Sequence, residues 1–195
     1  MSEPLSREQA WELFCEWTES SSLRKHVQAV EASMRAYAPR FGGDPDVWGL
    51  VGLLHDLDYE RYPSLETGHP RYALEELRRQ GFSEEFVRAV ASHADYLGVS
   101  RDSAMEKALY AVDELSGFVM ACAYVRPEGI HGMTPKSVKK KMKTPAFAAA
   151  VDRDELRAGA ADLGVDFDEH VATVIEALAE RSGELELDGR EPAAT

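Results

Sequence analysis

Four of the six histidines and two aspartates stand on or beside apolar helical segments: His26, His55, Asp56, His69, His93 and Asp113. Imidazole and carboxylate are ligands for divalent iron, manganese, nickel, zinc and magnesium, and a mixed nitrogen and oxygen set favours the transition metals. Each position also has a plainer reading. His26 in LRKHVQAV is flanked by Val27 and Val30, where a lone histidine is more often a hydrogen-bonded structural residue. His69 fits a helix start, and His93 fits the dipole at a helix C-terminus. Asp113 in LYAVDELSGF resists such a reading, because a carboxylate after Leu109, Tyr110 and Val112 is costly to bury without a cation or strong hydrogen bonds.

The elements that must position these residues are helices. Apolar residues recur at helical spacing along the chain and alternating β-branched runs are nearly absent, so the expected fold class is all-α, a helical bundle. Ser6 caps SREQAWELFCEWTE, and SSLRKHVQAVEASMRAYAPR follows as a second helix carrying His26. Asp44 and Pro45 form a cap and a first-turn proline, which makes DPDVWGLVGLLHDLD a helix with His55 and Asp56 in its last turn. A fourth helix is expected to start near His69 and Pro70. Ser83 caps SEEFVRAVASHADYL, with His93 near its end, and SAMEKALYAVDELSGFVMACAYV carries Asp113. Short helical pieces follow: TPKSVKKKMK, TPAFAAAV, DRDELRAGAADLG and DFDEHVATVIEALAER. The expected organisation is one helical domain over 1–182, with its metal-binding core at 20–125 and C-terminal helices within 134–182. A disordered tail is expected over 183–195, where GELELDGREPAAT shows no apolar periodicity.

Composition narrows the partners. With 22 lysines and arginines against 35 aspartates and glutamates, the formal charge of −13 argues against a surface for a nucleic-acid duplex. No stretch approaches the roughly 20 apolar residues that span a bilayer, and the start has acidic residues where a signal peptide needs basic ones, so a cytoplasmic location is expected. Cys15 and Cys122 lack CxxC spacing and read as core thiols.

The order His26, then His55 and Asp56, then Asp113 resembles the H…HD…D signature of the HD-domain superfamily of metal-dependent phosphohydrolases. The apolar helix before HD, the upstream histidine and the downstream aspartate carry that resemblance more than the dipeptide does. The four signature residues would hold one metal. His69 and His93 lie where dinuclear members place two further histidines, completing an H…HD…H…H…D pattern like that of HDIG-type members. By that resemblance Asp56 bridges two divalent ions and positions the attacking water, with His26, His55 and Asp113 on one ion and His69 and His93 on the other. A site of this kind cleaves a small phosphate ester or nucleotide with a metal-activated water.

Asp58 and Glu60 follow HD closely and are candidates to hydrogen-bond a ligand imidazole from behind; the plainer reading of both is a solvated loop carboxylate. In some dinuclear members a lysine occupies this segment, but here it reads Leu57, Asp58, Tyr59. In TPKSVKKKMK, Lys136, Lys139, Lys140 and Lys143 form a helical stripe that is either a solvated face or, with Arg126, a phosphate-binding rim. Among subgroups the pattern is similar to bacterial diadenosine tetraphosphate hydrolases, whereas the GYP tripeptide of HD-GYP phosphodiesterases is missing. Two alternatives stay open: a di-iron oxygenase of the same fold, similar to inositol oxygenase, and a non-catalytic helical regulatory module.

Overall fold

Side-chain caps define most of the helices. The computed structural model describes residues 5–189 and shows nine α-helices there, with no strand among the described residues. Ser6 and Gln9 close a capping box on α1 (Arg7–Trp17), and Ser20 caps α2 (Ser21–Tyr37). Asp44 caps α3 (Pro45–Leu54), with the proline at the first helical position. After α4 (Arg71–Arg79) come α5 (Glu84–Ser92), capped by Ser83, and α6 (Ala104–Tyr124), capped by a Ser103–Glu106 box. The last three are α7 (Pro135–Met142), α8 (Arg153–Leu163) and α9 (Phe167–Ala179). None of them is long and apolar enough to cross a membrane.

The long helices α2 and α6 are the spine, and α3 lies along α2. Gly52 makes that approach possible: a Cβ there would come within 2.9 Å of the backbone of Val30 and Glu31. On the other side of α6, a Cβ at Gly159 would meet the Ala111 Cα at 2.9 Å, so glycine lets α8 close against α6. The first contact sets the end of α3, where His55 stands, beside α2 with His26; the second sets α8 against the helix that carries Asp113.

Buried polar groups lock the frame. Glu31, 2 % exposed, accepts from Arg7, Arg35 and Arg181, tying α1 and the chain after α9 to α2. His170 on α9 is fully buried; its Nδ1 accepts from the Tyr37 hydroxyl (2.6 Å) and its Nε2 donates to the Ala111 carbonyl (2.9 Å). Burial lowers its pKa to about 4, against about 6.5 for a free imidazole. Because the folded-state value is depressed, the unfolded chain binds the extra proton first. The stability due to neutral His170 is present above about pH 6.5 and is lost as pH falls toward 4, by up to about 3 kcal/mol. Melting temperatures measured across this range should fall less steeply for His170→Gln than for the parent chain; parallel curves would show that His170 does not contribute.

Two expectations are corrected. TPAFAAAV is a run of turns over 145–150, not a helix. Ala148 stands at φ 43°, and the Arg153 guanidinium takes the carbonyls of Phe147, Ala148 and Val151. The tail expected to be disordered is ordered over 183–189: Leu185 and Leu187 are buried, and the Leu187 carbonyl accepts from the Ile130 amide at 2.8 Å. Two leucines two residues apart make no helical pattern, so their burial against the turn after α6 left no periodic trace. Residues 1–4 of the expected domain and 190–195 of the expected tail lie outside the described residues.

Candidate metal centre

The six candidates are delivered by helix bodies, helix C-caps and the segments beside them. His26 is in the second turn of α2 and Asp113 is near the middle of α6. His55 and His93 are the C-terminal caps of α3 and α5, and Asp56 follows in the turn. His69 stands in the segment just before α4, where the helix itself starts at Arg71.

These side chains converge on Asp56. Its Oδ2 lies 3.8 Å from His26 Nε2 and 3.4 Å from His55 Nε2, while its Oδ1 lies 3.4 Å from His69 Nε2 and 3.7 Å from His93 Nε2. Asp113 Oδ1 completes the first half, 3.0 Å from His26 Nε2 and 3.3 Å from His55 Nε2. His69 and His93 approach each other at 3.1 Å through their Nε2 atoms. One carboxylate therefore serves two clusters, His26–His55–Asp56 and Asp56–His69–His93, each close enough to hold a metal ion.

The backs of the imidazoles are anchored. His55 Nδ1 donates to the Gly52 carbonyl (2.8 Å), His93 Nδ1 to the Val90 carbonyl (2.5 Å), and His69 Nδ1 to Asp58 Oδ1 (2.7 Å). Fixing the proton on Nδ1 leaves the Nε2 lone pair facing the cluster, the arrangement that a metal-ligating histidine needs. His55 Nε2 is fully buried and has no hydrogen-bond partner among the described residues, an arrangement that is costly unless a ligand engages it.

The imidazoles and carboxylates of the centre also perturb one another's ionisation. Burial works against ionisation of Asp56 and Asp113, but His55 beside them holds both below the usual carboxylate range. Burial also works against protonation of His55, yet Asp56 and Asp113 raise its pKa well above the ordinary value. His93 is lowered by burial and by the neighbouring His55. A centre that concentrates imidazoles and carboxylates so closely fits divalent cations with mixed nitrogen and oxygen ligands.

The clusters open into a cavity of about 520 Å³. Beyond the candidate ligands its wall includes Tyr59, Tyr96, Asp95, Tyr110, Glu114 and Glu155. Burial holds the Tyr96 and Tyr110 hydroxyls up at about 12, so both remain hydrogen-bond donors at neutral pH. Burial and the adjacent Asp113 push Glu114 up to about 7.

Residues 23–117 match the HD domain family, which spans α2 to the middle of α6 and includes all six candidate ligands. Residues 23–117 are a domain of the HD superfamily. HD domains are mostly metal-dependent hydrolases and bind divalent metals, and the His and Asp clusters of this HD domain are able to hold one. No curated protein and no solved structure matches the chain.

Asp58 corrects the plainer reading given to it above. It is fully buried, with one oxygen on His69 and the other on the Ala73 amide at 2.9 Å. Glu60 instead caps the start of α2, accepting from the Glu19 and Ser20 amides. The basic rim is not at the cavity: none of Lys136, Lys139, Lys140, Lys143 or Arg126 lines it. Val138 and Met142 bury one face of α7 toward α9 and the far end of α6, where Lys139 pairs with Asp168 on α9. Arg126 is spent on the Gly129 and His131 carbonyls. The sequence reading missed Tyr96, Tyr110, Glu114 and Glu155 as cavity residues. Glu114 had one signal, its place directly after a candidate ligand; α8 is too distant in sequence for Glu155 to have had any.

Proposed function

We propose that this HD domain is a metal-dependent phosphohydrolase that acts on a small phosphorylated metabolite or nucleotide. The observation that carries the reading is Asp56, whose two oxygens face separate imidazole clusters. Residues His26, His55, Asp56 and Asp113 would hold one divalent ion, and Asp56, His69 and His93 a second. Ions held there would acidify water for attack at phosphorus and offset the negative charge of the phosphate.

The chain's own residues supply orientation and exclusion. Gly52, Val90 and Asp58 fix the imidazole rings from behind. His55, fully buried, keeps bulk solvent away from its side of the cluster. The Tyr110 hydroxyl, protonated on the wall, donates to Asp95 Oδ2 at 3.3 Å, so a bound ester oxygen would have to compete with that carboxylate for it. No lysine follows the HD pair, so charge on a departing group has to be met by the metals and by wall residues of this kind.

The test is anaerobic purification with elemental analysis, followed by a screen of phosphate esters and nucleotides with manganese, nickel, magnesium, zinc and iron. Phosphate release without dioxygen, abolished by chelation and restored by metal, is the expected result. Turnover that requires dioxygen, or no phosphate release with any of these ions, would count against the proposal.

A further inference from the structure

The cavity does not end at the metal clusters. A second hollow of about 450 Å³ opens beside it, and Leu23, His26 and Tyr59 line both, so the two are lobes of one cleft. Each half of the metal centre has a neighbour in the wall of this annex. His26, whose Nε2 faces Asp56 and Asp113, borders it directly. Tyr59 stands perpendicular to the His69 ring, with the two centroids 5.1 Å apart.

The annex differs in chemistry from the rest of the cavity. Leu23, Tyr59 and Pro63 give it apolar surface, and Tyr59 is 44 % exposed, leaving area that a ligand ring would bury. Its polar groups are engaged with one another. The two Glu60 oxygens accept from the Glu19 and Ser20 amides, and the Ser20 hydroxyl accepts from the Leu23 amide and meets the Ser22 hydroxyl at 2.9 Å. These contacts take up amides at the start of α2 that an anion would need, and no lysine or arginine lines the annex, so it is not built for a second phosphate. The outer wall of the main cavity offers carboxyl groups at Asp95, Glu114 and Glu155 instead of apolar surface. An apolar ring against Leu23, Tyr59 and Pro63 would leave water without depriving a polar group of its partner. Glu60 also ties the turn that carries Tyr59 to α2, and the Arg61 guanidinium donates to the Glu16 carbonyl, so the annex is shaped before a ligand arrives.

We propose that the annex seats the organic part of the substrate, and that the site takes phosphate esters of apolar, ring-bearing alcohols in preference to sugar phosphates and polyphosphates. This rests on the reading above in one respect, that metals at the clusters hold the phosphate. The preference belongs to binding and does not require that the ester bond be broken.

It is tested by calorimetric titration of the manganese-loaded chain with 2-phenylethylphosphonate, ethylphosphonate and 3,4-dihydroxybutylphosphonate, which share a headgroup and have no ester bond to cleave. The phenyl compound should bind at least about tenfold more tightly than either of the others. In Leu23→Ser, and separately in Pro63→Ser, the ratio of phenyl to ethyl affinity should shrink to less than about threefold, with circular dichroism confirming helix content. If neither variant folds, the parental series alone decides. Equal affinity for the phenyl and ethyl probes, tighter binding of the dihydroxybutyl probe, no binding of any probe, or a parental ratio kept in both folded variants overturns the proposal. Ring preference without phosphate release in the ester screen would overturn the hydrolase reading and leave the annex standing. Phosphate release without ring preference would do the reverse.

Discussion

Replacing Asp56 with alanine is expected to empty both metal positions together and to reduce turnover by about a thousandfold or more, equivalent to about 4 kcal/mol of barrier. The reason is the division of its carboxylate: Oδ2 serves the cluster with His26 and His55, and Oδ1 serves the cluster with His69 and His93. Removing any one histidine leaves the other cluster intact, but removing Asp56 takes an anionic ligand from each. The change also leaves four imidazoles with less negative charge beside them, so cation binding is weakened further by electrostatics. Elemental analysis and phosphate release measured on one preparation, with circular dichroism to confirm helix content, decide the matter. A folded Asp56→Ala chain with parental metal content and parental activity would sink the bridging role.

Changing Asp58 to asparagine should act on only half of the centre. Asp58 accepts from two donors, His69 Nδ1 and the Ala73 amide, and it is fully buried. An asparagine has one acceptor oxygen, so its amide group must face one of those two N–H donors. Either His69 loses the partner that fixes its tautomer, or the start of α4 loses an anchor. Loss of such a backing carboxylate typically costs tenfold to a hundredfold in metal affinity. The expected result is a fall in metal content from about two toward one ion per chain, with the ion at His26, His55 and Asp113 retained. Unchanged stoichiometry and affinity in Asp58→Asn would show that Asp58 only packs the loop.

How much of this was legible beforehand differs from residue to residue. The helices carrying His26, His55 and Asp113 have cap residues and apolar periodicity, both local signals, and so their positions could be read directly. His69 and His93 could be placed near helix ends for the same reason. Asp58 could not be distinguished from a solvated loop carboxylate, because its burial depends on α4 folding back over residues 57–62. The lysine stripe misled in the opposite way. Its helical spacing was real, but spacing around α7 does not say which end of α6 that helix packs against.

The sequence by itself determined the all-α class, the HD family and the set of six candidate ligands, since capping, periodicity and residue type are local properties of the chain. Only the tertiary structure decided that Asp56 turns one oxygen to each cluster, that Asp58 stands behind His69, and that the cavity wall is acidic and not basic. Those features arise where segments as distant as α2, α6 and α8 meet, and close approaches at Gly52 and Gly159 set their geometry. Distance along the chain carries no record of which side chains such a meeting brings face to face.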